Sequence, residues 1–344
     1  MIPISSKAGQ YFGVAWMLLA ALLLATATAS VAVAQNDAGP TQQPLRTTAD
    51  LVKLDVSVLD RHGNFIGGLS QGQFRVLDSG SEQPIVGFAP VEAPAQVLVM
   101  VETSPAVYLI RNEHVTAAYA LLEGLAPDDV VALVAYDQTP RGLLNFTPDK
   151  SQLQSALGKL QYTVGMGQLY FYDSLSAILD WLAPMPGKRA VVLLTTGLDS
   201  SPPERWDALV RKLRSSDVVV FSVGLGRSLM QKPTDKSKPK QKAAPATGGT
   251  DEFERADRAL SALATMTGGR AYFPRSAKEF VPIYHEIASA LRHQYILGIA
   301  PARDGQLHSL VVKVRDPAGQ SEKRSAKEPK YRVLAREGYL APEP

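Results

Sequence analysis

The chain has 344 residues, no cysteine and a formal net charge of +3. So small a charge is no nucleic-acid footprint, and the absence of thiols excludes disulfides and thiolate metal sites. Once a leader is set aside, about 310 residues remain, a length that predicts about two domains with a core large enough to need no covalent staples.

Residues 1–34 read as an export signal. Lys7 is their only charge, Val14 to Ala25 is an unbroken apolar run, and Ala32-Val33-Ala34 before Gln35 forms an A-x-A cleavage pattern. An uncleaved anchor is the alternative reading, because the uncharged run Gly13 to Ala34 reaches the roughly 20 residues that cross a bilayer. Either way the remainder is expected outside the cytoplasm, with no membrane span after the signal. Residues 35–48 are polar and contain proline, as a linker does.

From Leu51 the pattern has a period of two. Leu51, Lys53, Asp55, Ser57 and Leu59 alternate with Val52, Leu54, Val56 and Val58, and the turn Arg61-His62-Gly63-Asn64 follows. Phe74–Asp78 and Pro84–Val91 read as two more strands, separated by a Ser79-Gly80-Ser81 turn. From Gln96, short apolar runs alternate with helical patterns. Strands are predicted at Val97–Val101, Val130–Tyr136, Ala190–Thr195, Val218–Val223 and, more weakly, Arg270–Phe273. Helices are predicted near Val107–Leu122, Lys150–Leu160, Tyr170–Leu182, Glu204–Ser215, Asp251–Met266 and Ala277–Arg292. Continuous apolar strands mean burial on both faces, hence an α/β unit with a doubly wound, Rossmann-like and mainly parallel sheet. Residues 230–250, with Lys232, Lys236, Lys238, Lys240 and Lys242 among Pro, Ala and Gly, read as a flexible loop. The tail returns to β patterning at Gln294–Ile299, Leu307–Val314 and Tyr331–Arg336. Two or three strands at either end are marginal alone. Residues 49–94 and 294–344 are therefore expected to pair into one smaller antiparallel β-sandwich, with the α/β domain, residues 95–293, inserted between them.

The chemistry should lie at Val97–Ala106, a buried strand ending in Glu102 and the hydroxyls Thr103 and Ser104. Ligands gather beyond the carboxyl ends of such strands, and an acid with hydroxyls suits a hard cation. Ala106, two positions on, has no oxygen to offer.

The central unit resembles a von Willebrand factor type A domain. More narrowly, the chain resembles exported bacterial proteins in which such a domain is bracketed by β segments. The resemblance rests on an ordered set of stretches: Val97–Ala106 at the strand ending in Asp-x-Ser-x-Ser, Val130–Asp137, Phe146–Asp149, Tyr172-Asp173, Leu193–Asp199 at the strand ending in Leu-Thr-Asp-Gly-x-Asp, Val220–Gly226 and Thr267–Phe273. Gln294–Gly298 and Arg336–Tyr339 resemble the narrower family's C-terminal pieces. The resemblance implies a metal-ion-dependent adhesion site at Glu102, Ser104, Ala106, Leu169 and Thr196. Glu102 keeps a carboxylate and Ser104 a hydroxyl, Ala106 and Leu169 have no side-chain oxygen, and Thr196 stands where the family has its second acid. A degenerate site is expected, with no metal and no cofactor.

Other chemistries find less support. Gly224-Leu225-Gly226 would need a third glycine at Leu229, and Gly165-x-Gly167 one at Tyr170. No G-x-S-x-G elbow or Walker loop is present, and Ser289 stands where a zincin's second histidine would follow His285-Glu286. His285 and His293 are eight apart and could share one helix face, but such residues are more often surface histidines or satisfied core ones. Tyr162, Tyr170, Phe171 and Tyr172, with Asp199, are the candidates for partner contact. The expected function is that of an exported, non-enzymatic protein-binding or scaffold protein. The alternatives are a purely structural envelope protein, or a hydrolase-like enzyme built on Glu102, Ser104 and Thr196 that would need a base such as His114 beside Ser104.

Overall fold

In the computed structural model, residues 51–344 are described except 93, 109–110, 164–166, 228–246 and 316–330. The expected signal and linker and most of the Lys-rich loop lie outside the described residues.

Four strands with almost no polar side chain form the centre of a six-stranded sheet: β5 (Gln96–Glu102), β6 (Val130–Tyr136), β8 (Arg189–Thr195) and β9 (Val219–Gly224). They are flanked by β7 (Pro140–Thr147) and β10 (Ala271–Tyr272), in the order β10-β9-β8-β5-β6-β7. All neighbours run parallel except β6 and β7. The apolar runs are continuous because both faces are covered. On one face α2 (Arg111–Gly124), α3 (Lys150–Leu157) and α7 (Phe280–Arg292) pack over Val97, Val99 and Val101. On the other, α4 (Phe171–Leu182), α5 (Pro203–Arg214) and α6 (Thr247–Met266) pack over Leu98 and Met100. A short α1 (Pro105–Tyr108) follows β5.

The two chain ends form two further sheets. One has the order β13-β1-β11-β4, from Arg332–Leu334, Val52–Leu59, His293–Ile299 and Gly87–Glu92. The other has the order β14-β12-β2-β3, from Gly338–Leu340, Leu307–Val314, Phe74–Asp78 and Ser81–Gln83. Neither end has a complete sheet of its own: β1 pairs with β11 and β13, and β2 with β12. Leu54, Val56, Phe74, Val76, Tyr295 and Leu297 bury themselves between the two sheets. At roughly 1.5–3 kcal/mol for each large apolar side chain buried, this shared core is what holds the termini together.

α7 runs without a break into β11, and Ser57 Oγ donates to the Ala290 carbonyl at 2.8 Å. Arg292 bonds both Glu92 and Asp128, at 2.9 and 2.8 Å. The α/β unit and the antiparallel sheets are thus tied at the last turn of one helix.

Four features depart from the sequence reading. β7 is a full strand where only a loop around Phe146–Asp149 was expected. Its exposed Pro140–Leu143 segment shows no apolar periodicity, as befits an edge strand. β3 and β14 are three-residue strands that go unread in the sequence. The helix α6 already begins at Thr247, inside the stretch assigned to the flexible loop.

Candidate functional site

β5 lies between β6 and β8, where the strand order reverses direction. The carboxyl ends of strands at such a point leave a crevice. Glu102 ends β5 and Thr195 ends β8, so both are delivered there by strand register alone. Glu102, Thr195 and Thr196 are fully buried.

The Glu102 carboxylate is filled by donors from its own chain. Ser104 Oγ donates to one oxygen at 2.5 Å. The other accepts from Thr195 Oγ1 at 2.9 Å, the Thr196 amide at 2.6 Å and Thr196 Oγ1 at 2.8 Å. The Tyr136 hydroxyl shares a 2.6 Å bond with Thr195 Oγ1. Burial, and after it the Glu102 charge, push the Tyr136 phenol well above its ordinary pKa. Gly197 makes the turn possible: its φ of 74° is left-handed, and a Cβ there would come within 2.8 Å of Leu260.

The remaining positions implied by the resemblance give nothing to a cation. Leu169 is 7% exposed and packs into the core beneath α4, while Ala106 is half-buried in α1. Leu169 meets the facing loop through its backbone, donating to Ser200 Oγ at 3.2 Å and accepting from the Ser200 amide at 2.7 Å. Among the described residues no group of three His, Cys, Asp or Glu could hold a metal. Mg²⁺ demands near-octahedral oxygen at short distances. One carboxylate already saturated by four donors, with an alanine and a buried leucine beside it, does not fit that ion.

Next to this cage a second cluster fixes the rim loops. Asp137 accepts from the Gln138 amide at 2.6 Å, from Arg141 at 2.7 Å and from Thr163. Arg141 also donates to Thr103 Oγ1 at 3.0 Å. Burial raises the Asp137 carboxyl, but the bonds from Thr163, Arg141 and Gln138 outweigh it and hold the pKa below the ordinary value.

The aromatic candidates do not form one patch. Phe171 is core, 5.8 Å from the Tyr136 ring, and half-buried Tyr172 stacks toward Trp206 at 5.3 Å. Tyr170 is half-buried, with its hydroxyl on Gln168. Tyr162 packs edge-on against Tyr108, 6.1 Å away, and Arg111 lies over the Tyr108 ring at 4.6 Å. Tyr108 is 47% exposed, so the aromatic surface of this rim is Tyr108 with Tyr162. The sequence reading missed Tyr108 inside an apolar run, and equally Tyr136 and Thr195, which meet Glu102 from 34 and 93 positions away, and Arg141, which reaches Thr103 from 38 positions away. Asp199 accepts from the Tyr172 amide at 3.0 Å and the Ser201 amide at 2.7 Å, capping α4 and its own loop. Beside it a cleft of about 440 Å³ lies between Gly197–Ser200 and Glu252, Arg255 and Ala256 of α6.

His285 and His293 stand apart from this cage. His285 bonds Asn64 at 3.1 Å, and His293 stacks on Phe65 at 5.1 Å. The side chain of His114, in α2, lies outside the described residues.

No family model matches the chain, and no curated protein does. It is similar to several solved structures. A von Willebrand factor type A protein from Catenulispora acidiphila is 10% identical over 87% of this chain and 76% of that one, with a TM-score of 0.44. The von Willebrand factor domain of a type V pilus tip protein from Porphyromonas gingivalis is 12% identical over 58% of this chain and 97% of that one, at 0.42. An aerotolerance-related membrane protein from Bacteroides fragilis is 12% identical over 57% of this chain and 96% of that one, at 0.40. The strand order β10-β9-β8-β5-β6-β7 is the evidence for the fold.

Proposed function

We propose that the chain is an exported, non-enzymatic binding or scaffold protein whose α/β unit meets a protein partner without a metal ion. The observation that carries this reading is the Glu102 cage: this carboxylate, at the switch point, accepts three hydroxyls and an amide from its own chain. A partner's acidic side chain would find no cation there to bind. The contact surface is assigned to the rim around the cage, namely Tyr108 and Tyr162 on one side and the Thr196–Ser201 loop on the other. Asp137 and Arg141 tie Thr103 and Thr163 to the β6–β7 turn, and residues fixed before contact favour rigid docking.

The bonding of Ser104 weighs against the hydrolase alternative. Its hydroxyl is within reach of Glu102, but three other donors already hold that buried carboxylate, and the further base beside Ser104 that the alternative needs is not found among the described residues. Among the described residues no helix is long and apolar enough to cross a membrane, and export rests on the sequence of residues 1–34.

Calorimetric titration of the chain with Mg²⁺, Mn²⁺ and Ca²⁺ tests the central point. No saturable heat is expected, and a stoichiometric site lost on Glu102→Ala would overturn the metal-free reading. N-terminal sequencing of the exported chain is expected to begin at Gln35.

A further inference from the structure

A second site lies far along the chain from the rim, where the C-terminal segment passes the first strand. β11 pairs with Val52–Val56 along one edge of β1, whereas β13 covers only Ser57–Leu59 on the other. The chain then turns away at Ala335–Arg336 instead of continuing the ladder. Among the described residues, the second edge of β1 from Val52 to Val56 has no strand beside it. That edge borders a cleft of about 560 Å³ whose other walls are the α5–β9 turn and the C-terminal segment from Tyr339 to Glu343. Leu51, Val52, Pro301, Leu340 and Pro342 give it apolar surface.

Two guanidinium groups line the same cleft. Arg336 is held in one orientation: its Nε donates to the Gly338 carbonyl and one Nη to the Arg214 carbonyl, each at 2.8 Å. Among the described residues its other Nη and the side-chain donors of Arg214 have no hydrogen-bond partner. Among the described residues no carboxylate lies within ion-pair distance of either guanidinium. Two acids of the cleft are already engaged, Asp55 by Lys53 at 3.4 Å and Asp217 by Arg189. Burial draws the Arg336 pKa below the ordinary guanidinium value, and Asp217 and Asp55 only partly offset it, as for a cation short of counter-charge. Glu343, exposed at the mouth, is the remaining acid on the wall.

We propose that this cleft binds an extended peptide segment bearing acidic side chains, which adds as a strand to the open Val52–Val56 edge of β1 and places its carboxylates on Arg336 and Arg214. Each half of the proposal rests on its own observation. An unpaired strand edge offers a row of main-chain donors and acceptors that only another extended backbone satisfies. Lys53, the kind of charge that usually guards such an edge, is turned onto Asp55. Two guanidinium groups with free N–H donors select carboxylates among the side chains such a strand would present. Alternation along a strand sends every second side chain to the apolar wall, so the preferred segment alternates acidic and aliphatic residues.

Fluorescence anisotropy tests this with the full-length chain and a short labelled peptide of alternating Glu and Val, blocked at both ends. Saturable binding is expected. It should weaken about tenfold when the peptide's Glu become Gln, and about tenfold in Arg214→Gln, which removes a charge without removing a bond. Arg336→Gln should act in the same direction. Glu343→Gln should tighten binding, because it removes the competing acid. N-methylation of alternate peptide amides should abolish binding. No saturation at millimolar protein, equal binding of the Gln or N-methylated peptide, or dimerisation of the chain through this edge instead would overturn the proposal. The result is independent of the rim, since a cation found at Glu102 would leave this cleft unchanged.

Discussion

Thr196→Asp returns a carboxylate to the position where the resemblance implies an acid, and its effect can be worked out from the cage. Thr196 Oγ1 lies 2.8 Å from a Glu102 oxygen, and both residues are fully buried. An aspartate there exchanges a donated hydrogen bond for a second negative charge roughly 3 Å away, a repulsion of about 5 kcal/mol at an effective dielectric constant of about 20. The pair relieves this by sharing a proton, so the variant's loss of stability should be largest at pH 8 and shrink toward pH 5. A divalent cation relieves it too: an ion present at about 100 times its dissociation constant restores about 2.7 kcal/mol. The assay is urea unfolding followed by tryptophan fluorescence from Trp181 and Trp206, with and without Mg²⁺, for both chains. The variant is expected to unfold at lower urea in EDTA and to recover in Mg²⁺, while the parent chain does not respond. If Mg²⁺ stabilises the parent chain as much as the variant, or if the variant is as stable as the parent in EDTA at pH 8, the donor-filled cage is the wrong description.

Three further outcomes follow from other parts of the molecule. Burial lowers the Lys188 ammonium from 10.5 to about 7, against opposing pulls from Asp55 and Asp129. The unfolded chain therefore holds more protons between those values, the cost to folding is complete below pH 7, and it fades as pH rises. Lys188→Met should raise stability by about 2 kcal/mol at pH 6, well under the 5 kcal/mol ceiling because the side chain still meets water, and should do nothing at pH 11. His308 is raised above 6.5 by its bonds first to Asp304 and then to Asp78. Its contribution is thus complete below pH 6.5 and disappears as pH rises through the folded-state value, a slope in the unfolding midpoint that His308→Gln should flatten. Gly269→Ala would set a Cβ 1.9 Å from the Val220 carbonyl oxygen, forcing apart β9 and the turn after α6, so a loss of roughly 3 kcal/mol or more is expected in thermal unfolding.

The sequence by itself determined the alternation of Val52–Leu59, the doubly buried runs of β5, β6, β8 and β9, and the amphipathic helices between them, because these depend on side chains close together in the chain. It also determined that Ala106 and Leu169 bring no side-chain oxygen to the rim, a fact of composition that no packing can alter. Tertiary structure alone decided what Glu102 binds. Its donors Thr195 and Thr196 come from a strand 93 and 94 positions away, and only the pairing of β5 with β8 brings them to the carboxylate. Edge strands escaped notice for the same reason: β7 and β3 are defined by the ladders they complete, since neither has the buried face that writes a period into sequence. The open edge of β1 is likewise set by where β13 stops and Arg336 turns off, a boundary fixed by the carbonyls of Gly338 and Arg214 that receive its guanidinium.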